Sequence, residues 1–519
     1  MYKKLLAVGL SMMMVSAGFV SYASEDLAAN VNPTYETEDS TSYKTDIEIA
    51  TTGDLPSSSP YGNSSTQTFI TTNSTFNGLV DMDKEGNASE ALATSWKSNE
   101  DSTVWTFTLR EGVKFHDGSD FTAQDVAWTW DYASTTENDG INWPLQGANL
   151  IDSIEVVDDY TVVFNLNTSS PDFLFYAAQK IMSQNAVETL GFSEGGSIGT
   201  GPYIFDSQET GVSWTIRRND NYWGTPGISE TITFQVVTDA STRALTLQSG
   251  DVDAIFEANS SDIVSFLADD SYNVFKAENS ANVYLGFNCS TENGGNNIIR
   301  QAVAMAINRD DIVNACYEGG ICGTASFNVI NNVTTGYKDV EYVEYDPEGA
   351  MELLAENGLE NITLRLTTFS KYLSVAEVVQ AELSMIGINV EIRELAQASF
   401  TANLTAEPDA YDMYINATSS QGGILNIMER FFENGGASAA MFYHNDEFDS
   451  LISEVRGKST YDELIEGFGE LQDFIAKDVP AIALVQTYLW CIGTNNFYGV
   501  DLGAQTYDVD FSYCYVVEE

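Results

Sequence analysis

Basic residues are scarce: 22 lysines and arginines stand against 76 acids in 519 residues, a formal net charge of −54. So much like charge repels nucleic acid and anionic lipid, which argues against a nucleic-acid or membrane-surface role. It reads first as a solvated surface, and second as a cleft suited to cationic ligands. Histidine is scarcer still. His116 and His444 lie far apart, with no cysteine or HExxH context, so neither a metal site nor a cofactor is expected. Five cysteines are too few for a disulfide scaffold. Cys316 and Cys322 are close enough in sequence to bridge across a helix end in an oxidising compartment. Cys289, Cys491 and Cys514 read as buried thiols, with a Cys491–Cys514 pair as the alternative. Long apolar runs are missing everywhere except at the start.

That start reads as an address. Lys3 and Lys4 precede an apolar run from Leu5 to Val20, and Ser21-Tyr22-Ala23 places small residues where a signal peptidase cuts, after Ala23. The run is short for a bilayer of about 30 Å. Phe19-Val20-Ser21-Tyr22 is similar to a lipoprotein box with Tyr22 in place of the lipidated cysteine. Residues 1–23 are therefore expected to be a signal peptide. Removing two lysines and no acid moves the charge from −54 to −56. Residues 24–43 are polar, acidic and poor in large aliphatics, and read as a disordered leader. About 496 residues remain, more than one core serves, so two or more compact bodies are expected.

Order should begin near Thr45, where Asp46–Ala50 alternates like a half-buried strand. A turn-rich loop at 54–66 leads into a helical pattern at Gln67–Val80. A dense β region follows, with Thr103–Arg110 alternating and Ile151–Val157 pairing with Thr161–Leu166 across Asp158-Asp159. Thr122 and Asp125 have capping-box spacing ahead of an amphipathic helix. Further strands fit Tyr203–Asp206, Ser213–Arg218 and Thr231–Val237. A continuous helix is expected over Arg300–Ala315. Strands at Thr363–Thr368 and Asn389–Glu394 flank a helix at Ser374–Ile386, a pattern that points to an α/β body with a parallel sheet.

The order of motifs resembles the family 5 extracellular solute-binding proteins, the dipeptide, oligopeptide and nickel class. The resemblance rests on Leu92-Ala93-Thr94-Ser95-Trp96, on Trp105 through Gly118, and on Phe121-Thr122-Ala123-Gln124-Asp125-Val126. It continues in Gly199-Thr200-Gly201-Pro202-Tyr203, Arg218 through Trp223, Leu247 through Asp253, Ile299-Arg300-Gln301-Ala302 and Asp478-Val479-Pro480-Ala481-Ile482. Each motif also has a structural reading: Gly112, Gly118, Gly201 and Gly250 suit turns that need unusual dihedrals, and the tryptophans suit a core.

The resemblance implies a two-lobed, type II periplasmic-binding-protein (Venus-flytrap) fold with an extra β-rich subdomain in the first lobe. The first lobe would take residues 44–285 plus 492–519, with the subdomain at about 84–198. The second would take 286–491. Crossings near Asn282–Asn288 and Tyr488–Gly493 would be the hinge. Such a protein is no enzyme. It would be exported to the periplasm or cell surface as a monomer, capture a small organic solute, peptide favoured, and deliver it to ABC permease subunits and their ATPases.

Cleft residues implied on this basis are Asp54, Ser57 and Tyr61 from the first lobe, Asn282 and Tyr284 from the hinge, and Asn416, Ser419, Gln421 and Tyr488 from the second lobe. Peptide-binding members hold the ligand's ammonium with an acidic residue near the stretch Asp412–Gly423, yet no carboxylate stands between Asp412 and Glu429. Oligosaccharides and opine-like solutes therefore compete with peptides as ligands. A chemosensory receptor on the same scaffold is another reading, and an extracellular hydrolase, resting on chance carboxylate pairs among 76 acids, a remote one.

Overall fold

Two strands of unusual length carry the architecture. Tyr272–Phe287 spans 16 residues and Ala481–Thr494 spans 14, and the two pair antiparallel along most of their length. Alternation sends successive side chains to opposite faces. Over the first stretch, Phe275, Leu489 and Cys491 enter one buried cluster, while Val274, Trp490 and Ile492 enter another. Further along, Val283, Leu285, Ile482 and Leu484 belong to a third and larger cluster. The pair thus serves separate cores at its two ends, and its register shifts between Glu278 and Asn282. Such an irregularity bends and twists a ladder locally. The computed structural model describes residues 42–83, 86–418, 423–436, 439–503 and 508–518. The expected signal peptide and nearly all of the leader fall outside these residues. Tyr43, inside the leader as read, pairs with Val517.

The sheet extends to both sides of the long pair and counts eleven strands among the described residues. On one side come Met413–Thr418, Thr363–Phe369 and Asn389–Leu395. On the other come Ala254–Phe256, Asp46–Thr51, Thr231–Val236, Ser213–Arg218 and Tyr203–Glu209. Thr363–Phe369 runs parallel to both of its neighbours, as does Asp46–Thr51. The remaining pairs are antiparallel. The sheet is therefore mixed rather than parallel, because helical crossovers join only some of its strands.

A separate antiparallel sheet orders Ala93–Ser98, Val104–Leu109, Thr161–Leu166 and Ile151–Asp158. Its inner face centres on Phe173, whose ring lies 5.2 Å from Phe164, 5.7 Å from Trp130 and 6.0 Å from Trp105. The same cluster takes in Tyr61, Phe76, Leu79 and Val80, so this core reaches back before residue 84. The helix Ala123–Tyr132 starts at a complete capping box formed by Thr122 and Asp125.

Two sequence expectations are corrected. The continuous helix over Arg300–Ala315 is two helices, Asn297–Ala306 and Arg309–Cys316. Ile307 is extended, and the Asn308 side chain accepts from the Asp310 amide at 3.1 Å, capping the second helix. Gly112, Gly118 and Gly250 do have positive φ, but Gly201 does not. A Cβ on Gly201 would meet the Thr75 carbonyl carbon at 2.5 Å, so close approach of two backbones requires that glycine.

The motifs act as staples. The His116 amide donates to the Gly199 carbonyl at 2.9 Å, the Gly199 amide donates to His116 Nδ1 at 3.3 Å, and Nε2 lies 3.1 Å from the Gly201 carbonyl. Nδ1 accepts, so Nε2 carries the proton. Burial, first, holds this imidazole down to about 4. Arg300 likewise donates from Nε to the Val479 carbonyl at 3.0 Å and from Nη2 to the Asp478 carbonyl at 3.0 Å.

Candidate ligand-binding cleft

A cavity of about 1160 Å³ opens between the bodies. Phe275 and Ala277 of the long strand contribute to its floor. One wall comes from Phe69, Asn73, Asp81, Asp510 and Tyr513, a second from the β-rich subdomain through Trp143, Asp172, Tyr176 and Lys180, and a third from Thr334, Thr335, Ile424, Tyr461 and Phe468. Its volume suits a ligand larger than a single amino acid, and its lining mixes aromatic rings with a few convergent polar groups.

Of the nine residues expected in the cleft, Tyr61 lines this cavity. Its hydroxyl donates to the Lys180 carbonyl at 2.7 Å, and burial raises its phenol well above the ordinary range. Asp54 serves another purpose. Its carboxylate accepts from the amides of Leu55 and Gly211 at 2.9 and 2.8 Å and from Gln208 Nε2 at 3.1 Å, which ties the loop to the turn between Tyr203–Glu209 and Ser213–Arg218. The Ser57 hydroxyl accepts from the Ser59 amide at 3.0 Å. Asn282 is buried and donates to the carbonyls of Asn328 and Val329 at 2.9 and 3.3 Å.

The hydroxyl of Tyr284 lies 3.3 Å from that of Tyr414 inside the large core, where burial pushes it up to about 12. Asn416 accepts from the Ala417 amide at 2.9 Å. Tyr488 carries the Lys276 ammonium 3.6 Å above its ring. None of these six is among the cavity's lining residues. Ser419 and Gln421 lie outside the described residues.

Asp412 is committed to structure. It is buried, and Arg365 donates to it from Nε at 2.9 Å, from Nη2 at 2.8 Å and from its amide at 2.9 Å. Burial alone would push this carboxyl up, but the bonds and charge of Arg365 outweigh it and hold the group below the usual range.

The acids that do reach the cavity are all aspartates, and sequence reasoning missed them. Burial pushes Asp81 and Asp172 upward. The missed signal is Asp508-Val509-Asp510-Phe511-Ser512-Tyr513, where acids alternate with apolar residues near the C-terminus. Val509 and Phe511 are fully buried, so the acids of the same strand-like stretch turn outward.

The expected bridge between Cys316 and Cys322 is not formed. Cys316 packs at the margin of the large core, whereas Cys322 belongs to the cluster around Trp490 and Ile492. Cys491 and Cys514, also unbridged, are buried together in one cluster. Among the described residues His444, Asp446 and Asp449 bring possible metal-ligand atoms within 4.8 Å of one another, but on the surface and not on the cavity wall. No helix among the described residues is long and apolar enough to cross a membrane.

Comparison with known proteins places this geometry in context. The sequence family described as bacterial extracellular solute-binding proteins, family 5 Middle, matches residues 87–438. A dipeptide-binding protein of Escherichia coli strain K12 is 26% identical over 436 residues, covering 76% of this chain and 80% of that protein. The substrate-binding protein CtaP of Listeria monocytogenes superposes with a TM-score of 0.83 at 22% identity, covering 92% of this chain and all of that one. The DppA protein of Helicobacter pylori, solved with the peptide STSA, superposes at 0.79 with 23% identity over 92% of this chain and 99% of that one.

Proposed function

The chain belongs to the bacterial extracellular solute-binding proteins of family 5, and we propose on that premise that it captures a peptide-like solute between its lobes and delivers it to an ABC importer. Its fold is the two-lobed binding-protein fold. The observation that carries the reading is the cavity of about 1160 Å³ walled by both lobes and floored by the strands that join them. A site of that form gains affinity when the walls close, because fixed polar groups then act with little water around them. Peptide is favoured because the E. coli relative is a dipeptide-binding protein and the H. pylori structure holds a peptide.

We take residues 44–285 with 492–519 as one lobe and 286–491 as the other, with the hinge at the crossings near Asn282–Asn288 and Tyr488–Gly493, next to the register shift between Glu278 and Asn282. The chain acts as a monomer outside the cytoplasm, with permease subunits as its partners, and turns over no substrate.

The test is a thermal-shift screen of the purified chain, stripped of bound ligand by partial unfolding, against di- to octapeptides, oligosaccharides and nickel chelates. A ligand at a hundred times its Kd adds about 2.7 kcal/mol, enough to see. Stabilisation by peptides supports the assignment. A response to sugars alone, with silence from peptides, overturns it.

A further inference from the structure

The charge of the cleft names a ligand class more narrowly, provided the peptide reading holds. Six aspartates touch the cavity, Asp81, Asp83, Asp172, Asp501, Asp508 and Asp510, against Lys180 and Lys276. Strand alternation removes one of these lysines. Phe275 and Ala277 face the first-body cluster beside the cavity, so Lys276 projects to the opposite face, where its ammonium lies over Tyr488 and Trp490. Lys180 is left as the ammonium on this wall among the described residues.

Several of the aspartates already serve protein donors around them. Asp83 accepts from the Asn87 amide at 2.7 Å, Asp501 from the Gly503 amide at 2.8 Å, and Asp172 from the Ser170 hydroxyl at 2.7 Å. Asp81 and Asp510 differ. The bonds to Asp510, from Ser74, the Ser512 amide and the Ser512 hydroxyl, all end on Oδ1, and Oδ2 has no protein donor among the described residues. No described donor bonds the Asp81 carboxylate. Protein around Asp81 raises its carboxyl; the charge of Lys180 opposes this, and the negative charge of Asp510 adds to it. Both also raise the phenols of Tyr222 and Tyr513, secondary to burial. Two carboxylates that line one cavity beside the rings of Tyr222 and Tyr513 suit an organic cation, which charge-assisted hydrogen bonds and ring contacts would hold.

We propose that Asp81 and Asp510, flanked by Tyr222 and Tyr513, are the seat for an ammonium or guanidinium group of the solute, so that the protein selects cationic peptides. This seat lies on the first lobe, whereas the stretch after Asp412 lacks a carboxylate up to Glu429.

Calorimetry on the stripped full chain with Ala-Lys-Ala, Ala-Ala-Ala, Ala-Glu-Ala and N-acetyl-Ala-Lys-Ala tests it, in wild type, Asp81→Asn and Asp510→Asn. Each variant is first checked for an unchanged melting transition, and Asp81→Asn removes a charge without breaking any described hydrogen bond. The expected result is Ala-Lys-Ala at least about tenfold tighter than Ala-Glu-Ala, a gap that shrinks in both variants. If the seat holds the side chain, Ala-Lys-Ala also exceeds Ala-Ala-Ala. If it holds the peptide's amino terminus, acetylation removes the advantage instead, and does so only in wild type. Binding without charge preference, or a preference that survives both substitutions, overturns the seat and leaves the peptide reading standing. Silence from all four peptides overturns both.

Discussion

Burial pushes the Glu382 carboxyl up to about 7: Oε2 is buried without a partner, and the bond that Oε1 accepts from the Asn308 amide at 3.2 Å offsets this only in part. An unfolded glutamate ionises near 4.5. Between those values the folded chain keeps a proton that the unfolded chain releases, so this group's effect on stability worsens as pH rises from 4.5 through about 7. Glu382→Gln should therefore raise the melting temperature at pH 8 and leave it unchanged at pH 4; an equal gain at both would refute the assignment to ionisation. His116 works in the other direction. Its folded value near 4 lies below the ordinary 6.5, so its contribution is complete above pH 6.5 and is lost as pH falls toward 4. Arg365→Ala strands the buried Asp412 carboxylate, and an expected cost on the order of 2 kcal/mol, reduced by the partial exposure of Arg365, is measurable by urea melts at pH 7. At this scale the sequence was least informative. Tyr61 was recognisable as an aromatic beside a turn-rich loop, but Asp54 looks equally suited to a ligand and instead braces a hairpin, a difference decided by Gly211 and Gln208 more than 150 positions away.

At the scale of elements, period and punctuation were informative wherever one face is buried. Asp46–Thr51, Val104–Leu109 and Thr161–Leu166 stand where alternation put them. The failures have physical causes. The apolar face over 300–315 reads as one helix because Ala302, Ala306 and Val313 continue it, yet Asn308 offers a cap that ends one helix and starts the next. Asn308→Ala should cost about 1 kcal/mol in a denaturant melt. The long strand Tyr272–Phe287 escaped notice because its two halves face different cores, so no single alternation runs through it. The motifs, by contrast, identified the scaffold and proved to be joints between distant segments. Arg300→Met should leave the Asp478 and Val479 carbonyls short of donors and cost about 3 kcal/mol, with no change in peptide preference.

For the whole molecule, length pointed to more than one body, and motif order supplied the two-lobed plan. The cavity was not legible, since its walls come from segments as far apart as Asp81, Tyr176, Thr335 and Asp510. If the lobes close on a solute, small-angle scattering should give a smaller radius of gyration for the peptide-saturated chain than for the stripped one; identical curves despite calorimetric binding would count against closure. The two ends of the described chain meet on the first lobe. Tyr43 pairs with Val517, Lys44 donates to the Val516 carbonyl at 2.9 Å, and the Glu518 amide donates to the Ser42 carbonyl at 2.9 Å. In mechanical terms, tension applied between these ends is taken up first by that short ladder and by the bonds beside it, such as that from the Val517 amide to the Asn496 carbonyl. Pulling the two ends apart thus loads the first lobe before it reaches the jaws.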